Sequence, residues 1–456
     1  MIRLTLANIE ALEQQVRDAL ASDDLDGLRA LLTGQHPADV ADVIDRLNDE
    51  DQLRVFRLLP PGQAAEVLDE TSADATRELL EHLPPDEAGD LLDRLPMDDV
   101  AEILAEDVPE RQQDLLAAME PDDAAEVRLL LQYPPQSAGR LMTEKFVQVR
   151  PEMTAAEVIA HLRLIDPEVE SLTYLYVLNP AQQLVGVVPL RAVITAPPER
   201  RIGAIMSPQL VTVTPETDQE EVARLVSQYD LLALPVVTPD QRMLGIITVD
   251  DVIDVLVQES TEDVLRFGGI EGGDAGQPYF SVPIRRSVRK RIIWLLFLFL
   301  AGTFTSSVLS VFEDELSEMI VLSVFIPLLI GTGGNTGAQT VSTVIRGLAL
   351  GEIRLRDTWR VIVRELGSGL LLGVLLGCIA LGWALFWSNS LAVAAVVGFS
   401  IVAICTWANT IGSLVPLIAQ KLGIDPATVS APMITTLVDA TGLAIYLLIA
   451  KAVLQL

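Results

Sequence analysis

Two cysteines, three histidines and few aromatic residues leave this 456-residue chain short of the side chains that most enzymes and soft-metal centres use. Cys378 and Cys405 both lie in apolar runs, where they serve as small packing residues rather than as a disulfide or metal pair. His36, His82 and His161 are scattered without ligand spacing. No metal-hydrolase, kinase or nucleophile-elbow pattern occurs, so the chain does not read as an enzyme. Basic residues are also scarce, 32 against 63 acids for a net charge of −31. The imbalance is local. Residues 1–283 hold 54 acids against 20 bases, whereas residues 284–456 hold 9 against 12. A half that acidic excludes nucleic acid as a partner, because phosphate backbones need Lys and Arg. The basic start, apolar stretch and cleavage site of a signal peptide are missing, so the acidic half is expected in the cytoplasm. The length fits two to four domains.

Residues 35–131 repeat at a period of twelve. Leu47, Leu59, Leu83, Leu95, Met119 and Leu131 fall in register, with Thr71 and Asp107 as weaker members, and a Pro, Ser or Asn-Asp start signal follows nearly every one. Short amphipathic pieces such as AAEVLDE, AGDLLDR and VAEILAE come next. Proline at a helix start costs no hydrogen bond, and acids in the first turn suit the helix dipole. Helices this short cannot stand alone, so neighbours must stack; the pattern predicts a helical superhelix in an acidic N domain over 1–134.

Over 135–257 the chain duplicates itself. LMTEKFVQVRPEMTAAEVIAHL aligns with IMSPQLVTVTPETDQEEVARLV, and QLVGVVPLRAVI aligns with RMLGIITVDDVI. Each copy reads as strand, helix, strand, turn, strand, helix. The pattern resembles a tandem cystathionine-β-synthase-type α/β pair. That resemblance implies adenine-nucleotide binding, ATP being the candidate, with Thr248 and Asp251 spaced for a ribose and Arg191 as a further candidate. The first copy offers Pro189 and Ala192 at the equivalent spacing, which leaves one site at most. The other reading is that Thr248 and Asp251 cap the last helix.

That helix, DDVIDVLVQESTEDVLRF, is strongly acidic; Val252, Val255, Leu256, Val264 and Phe267 are its candidate apolar stripe. A run rich in glycine, GGIEGGDAGQP, breaks it. Residues 258–283 therefore read as a connecting helix and linker, a lever on a bendable joint.

From residue 284 the chain is apolar enough for five membrane spans, near 288–312, 319–345, 360–388, 391–420 and 430–454. Arg285, Arg286, Arg289, Lys290 and Arg291 precede the first, and Glu313, Asp314, Glu315 and Glu318 follow it. Arg346, Arg354, Arg356, Arg360 and Arg364 surround the next inner loop. The positive-inside rule then puts the N-terminus in the cytoplasm and the C-terminus outside a cell (inner) membrane.

Two segments depart from lipid-facing helix. GTGGNTGAQT at 331–340, preceded by Pro327, suggests a kinked second span with exposed carbonyls. The fifth span carries PMITTLVDATG, in which Thr435 and Thr436 share a face with Asp439, the one acid placed well inside an apolar span. A carboxylate about 10 Å into a membrane helix costs several kcal/mol unless it meets water, a cation or a basic partner. Mg2+ is small, hard and slow to shed water, and Asp439, Thr435, Thr436 and Asn335 offer the oxygen ligands it prefers. One carboxylate is little charge for a divalent ion; a symmetric homodimer would bring two Asp439 side chains to the axis. A carrier coupled to other ions would use the same topology, but it would call for a second buried acid or histidine. A sensor with mere anchors would not need a polar kinked span.

With IPLLIGTGGNTGAQT, GIDPATVSAP and ITTLVDATG in place, the whole chain resembles the MgtE-type magnesium channels: helical N domain, tandem regulatory pair, connecting (plug) helix and a five-span pore domain over 284–456. The resemblance implies a homodimer with a Mg2+ site at Asp439 in the pore between subunits. It also implies closure when acidic cytoplasmic domains bind Mg2+. The matching sensor positions are Asp218, Glu220, Asp230, Asp251, Asp254, Glu259, Glu262 and Asp263, and Asp425 matches the DPA motif at the inner mouth. Where some relatives carry Asn before the pore helix this chain has Ala431, which leaves selectivity for Mg2+ over Mn2+ or Co2+ open.

Overall fold

A computed structural model describes residues 6–105, 107–165, 169, 171–272 and 282–455. They form two compact units, one ending at Glu259 and the other beginning at Ser260.

The first unit opens with helices. After Leu6–Ala21 and Leu25–Leu32, eight helices start at residues 37, 49, 61, 73, 85, 97, 109 and 121, a strict twelve-residue period. The period follows from the start signals. Pro37, Pro61, Pro85, Pro109 and Pro121 occupy the first turn of their helices, where a missing N–H costs nothing. Asn48 caps by accepting from the Asp51 N–H. Each repeat helix packs on the one two positions along, Pro37–Ile44 on Pro61–Asp69 and Asp49–Phe56 on Ala73–Glu81. Two carboxylates tie distant repeats at equal spacing. Asp45 accepts from the Ser72 N–H and, at 2.7 Å, from its hydroxyl, while both Asp93 oxygens accept from the Glu120 N–H at 3.0 Å. Val40, Val43, Ile44, Val67, Leu92 and Val100 are fully buried in the resulting core. The superhelix expected from the sequence is what forms.

The duplicated segment follows. In the first copy Phe146–Val149 pairs parallel with Ser171–Leu178, which pairs antiparallel with Leu184–Pro189. In the second, Ala233–Val237 pairs antiparallel with Met243–Thr248. Val213 makes a parallel bridge to Val236 but is not part of an extended strand, so the first strand expected in the second copy shrinks to that one contact. The copies interlock: the Leu184 N–H donates to the Gln241 carbonyl, and the Met243 N–H donates to that of Gln182. The helix Val249–Phe267 leaves the second copy and runs from one unit into the other. Only part of its expected stripe is covered. Val252 and Val255 are buried, whereas Leu256 and Val264 are exposed.

The second unit is a helical bundle. Its five long apolar helices are Ile284–Val311, Val321–Ala349, Thr358–Ser388, Leu391–Lys421 and Ala431–Leu454, each long and apolar enough to cross a membrane. The third and fourth pack most intimately, through small residues. A Cβ on Gly369 would stand 2.8 Å from the Cys405 carbonyl oxygen, and one on Gly377 would stand 2.8 Å from that of Gly398. The second span is helical from Val321 to Ala349, through the glycine run and with Pro327 inside it, so the run does not open into loop. The reason is packing. A Cβ on Gly333 would meet Ile404 at 2.6 Å, and one on Gly337 would meet Ile434 at 3.0 Å, so the glycines admit the fourth and fifth spans.

Candidate functional site

The fifth span starts at Ser430, whose hydroxyl oxygen accepts from the Met433 N–H and from the Trp294 indole at 3.0 Å. Pro432 in the first turn leaves its own carbonyl to two hydroxyls: Thr435 Oγ1 donates to it at 2.9 Å and Thr436 Oγ1 at 2.8 Å. With its proton so engaged, each threonine oxygen keeps its lone pairs as acceptors. One turn on lies Asp439, half-buried. Its Oδ1 and the Thr435 methyl both lie 3.4 Å from where a Cβ on Gly334 would stand, so the second span presents bare backbone to this carboxylate. The two segments singled out in the sequence therefore meet. Among the described residues no basic side chain pairs with Asp439. Asn335, beside Gly334, is exposed. Trp407 Nε1 donates to Thr441 Oγ1 at 2.9 Å and pins the fourth span to the fifth beside the carboxylate.

A second acid inside the bundle escaped the sequence reading. Glu365 lies in the second turn of the helix Thr358–Ser388 and is partly covered. Asn409 Nδ2 donates to its backbone carbonyl at 3.2 Å and to its carboxylate at 3.5 Å. Asn409 is 1% exposed, and its Oδ1 has no partner among the described residues. Proximity to Arg364 and Arg360 hides this acid in the sequence, because it reads as part of the charged flank. Asp425, at the start of the turn before the fifth span, accepts from the Ala427 N–H at 2.8 Å and pairs with Arg266 at 2.6 Å.

The candidate sensor acids do not gather at one point. Asp218 caps the helix Gln219–Tyr229 by accepting from the Glu220 N–H. Glu220 is exposed, and Asp230 ends that helix in left-handed conformation at φ 51°. Glu259 accepts from Gln219 Nε2 at 2.6 Å, Glu262 pairs with Arg266, and Asp263 is half-buried on the same helix. Asp251 and Asp254 instead line a cleft of about 360 Å3, facing Asp98, Asp99 and Glu102 from the repeat helix Met97–Ala105. Sequence reasoning missed these three acids, since nothing local distinguishes them from the other acids of the repeat. Their crowding has electrostatic consequences. Burial, with Asp98 and Asp69 adding repulsion, pushes the Asp99 carboxyl up to about 10. Burial raises Asp251 to about 6 against the opposing hydrogen bonds from Thr248. Among the described residues no group of three carboxylates, histidines or cysteines stands ready around one metal ion.

At the candidate nucleotide position the Thr248 hydroxyl and N–H both donate to Asp251 Oδ2, the backbone bond at 3.3 Å. This is a helix-start arrangement, with an acid in the first turn reaching back to the residue before the helix. Arg191 is exposed on the short helix Leu190–Thr195 of the other copy.

Comparison with known proteins agrees with each layer. The model of the MgtE divalent cation transporter family matches residues 326–449, that of the MgtE intracellular N domain matches 35–136, and that of the CBS domain matches 138–199 and 202–258. The chain is 43% identical over 329 residues to a magnesium transporter MgtE of Thermus thermophilus, covering 72% of each chain. It is 36% identical over 326 residues to one of Bacillus subtilis, covering 72% of this chain and 71% of the relative. A solved cytosolic domain of the Mg2+ channel MgtE in complex with ATP superposes with a TM-score of 0.51 at 41% identity, over 53% of this chain and 99% of that one. An acidic helical repeat, a CBS pair and a multi-pass membrane bundle in this order, together with relatives this similar, make the chain a member of the MgtE family.

Proposed function

We propose that this chain transports Mg2+ across the cell membrane as a homodimeric channel, with Asp439 as the pore carboxylate. The observation that carries the reading is the half-buried Asp439, with no basic partner among the described residues, set against the bare backbone of Gly334 and flanked by two threonine oxygens. Such a site suits a hydrated cation that keeps its inner water shell and takes hydrogen bonds from it to carboxylate, hydroxyl and carbonyl oxygens. Asn335 and Asp425 would be further oxygen ligands in this reading, the latter on release from Arg266. Two copies meeting on an axis would double the charge at Asp439. The first span supports that assembly, since none of its residues is buried within one chain.

Closure by cytosolic Mg2+ is the second part of the proposal. The cleft between Met97–Ala105 and Asp251–Asp254 concentrates acids that repel one another when ionised, and a bridging divalent ion removes that repulsion. Each bound ion biases the closed state only by its differential affinity for the two states, so several weak sites give a steep response. Asp218, Glu220, Asp230, Glu259, Glu262 and Asp263 would add such sites. ATP at Thr248, Asp251 and Arg191 belongs to the same proposal; it would have to break the Thr248–Asp251 bonds.

Glu365 favours one other reading, a carrier coupled to Na+ or protons, because it supplies the second acid that such a cycle calls for. Mg2+ uptake into proteoliposomes holding the purified chain, with no Na+ or pH gradient imposed, separates the two. Uptake driven by the Mg2+ gradient and voltage alone supports the channel. Strict dependence on a Na+ or pH gradient would overturn it.

A further inference from the structure

The end of the connecting helix is tied down by an arginine that stands where a divalent ion would otherwise be needed. Arg266, in the last turn of Val249–Phe267, directs one guanidinium nitrogen to Glu262 one turn back and another to Asp425 Oδ2 at 2.6 Å, 159 residues away in sequence. Asp425 is itself fixed, since its other oxygen accepts from the Ala427 N–H at 2.8 Å at the head of the turn leading into the fifth span. The neighbouring contacts follow the same course. Phe267 packs against the buried apolar cluster that includes Val429, Ile434 and Val438, at the start of the helix that carries Asp439. The chain then turns at Gly269, with φ 73°, where a Cβ would run into the Trp294 ring; Trp294 in turn donates to Ser430.

Two carboxylates on separate elements would repel and splay apart. In the cleft proposed above a bridging Mg2+ would remove such repulsion, but here a covalently tethered guanidinium does so at all Mg2+ concentrations. Arginine suits the task, because its charge does not titrate and its planar fork can reach two carboxylates at once.

We propose that Arg266 is a built-in latch, a metal-independent ion pair that seats the connecting helix on the inner end of the pore helix and biases the channel toward closure. The proposal rests on the gating reading given above and assigns part of the closing free energy to a fixed charge rather than to bound metal. Metal at the acidic cytoplasmic sites then completes a closure that Arg266 has already begun, and the Mg2+ concentration for half-inhibition is lower than those sites alone would set.

The test uses the full chain in liposome patches, with Mg2+ varied on the cytoplasmic face, for native protein, Arg266→Gln and Arg266→Lys. Arg266→Gln keeps length and polarity but removes the charge, and the half-inhibitory Mg2+ concentration should rise roughly threefold to tenfold, as expected for losing a partly exposed ion pair that favours one state. Arg266→Lys keeps the charge without the fork and should fall between native and Gln. A native current inhibited by Mg2+ with the same half-inhibitory concentration in both variants overturns the latch and leaves the gating reading standing. A native current indifferent to cytosolic Mg2+ overturns the gating reading, and the latch with it.

Discussion

Replacing Asp439 by Asn removes the charge while keeping the shape, and the cost to conduction follows from electrostatics. A divalent ion and a carboxylate about 5 Å apart, the separation a shared water layer imposes, interact by about 7 kcal/mol at an effective dielectric of about 20. If screening by pore water leaves about a third of that, the loss is about 2 kcal/mol, or roughly thirtyfold in ion occupancy. Stability should not fall in parallel. Asp439 has no ion-pair partner among the described residues, so the exchange to Asn orphans nothing and relieves a half-buried charge. Uptake of Mg2+ into proteoliposomes, followed with a trapped Mg2+-sensitive dye and normalised to reconstituted protein, should drop by at least that factor while the melting temperature in detergent holds. Uptake within twofold of native would show that the ion does not pass this carboxylate.

Two further outcomes probe the fold. The Asp99 carboxyl, raised from its ordinary range to about 10 in the folded state, contributes stability that is fully present below about pH 4 and is lost as pH rises through 10, at up to about 1.4 kcal/mol per pH unit. Without divalent ions, thermal unfolding of the first unit should therefore occur at a higher temperature at pH 6 than at pH 9, and Asp99→Asn should flatten that slope; an equal slope in the variant would contradict the burial. Gly369→Leu would press a side chain onto the backbone at Cys405, whose carbonyl oxygen lies 2.8 Å from where the new Cβ would stand, and should cost about 1–3 kcal/mol in the bundle, read as a lower detergent melting temperature. An unchanged melting temperature would mean that the third and fourth spans do not pack this closely.

How much of this was legible in the sequence depended on range. The superhelix was, because a proline at the first helical position is a local signal, and helices beginning at residues 37, 61, 85, 109 and 121 follow from it. The five spans were too, since length and hydropathy decide them. The glycine run announced something unusual but not its purpose; only the side chains of Ile404 and Ile434 reveal that it admits neighbours rather than opening the helix. Long-range pairings stayed hidden. Asp98, Asp99 and Glu102 gain their meaning from facing Asp251 and Asp254, and Arg266 gains its meaning from Asp425. Glu365 was lost for another reason: next to a cluster of arginines, an acid in the second turn of a membrane helix reads as flank until Asn409 is seen bonding to it.

The most direct test of the central claim is a patch recording from the full chain with Mg2+ varied on the cytoplasmic side. A Mg2+-carrying current at low cytosolic Mg2+ that shuts steeply as the ion rises is the expected result. A membrane that stays electrically silent at every concentration, while the reconstituted protein is folded and inserted, would contradict it.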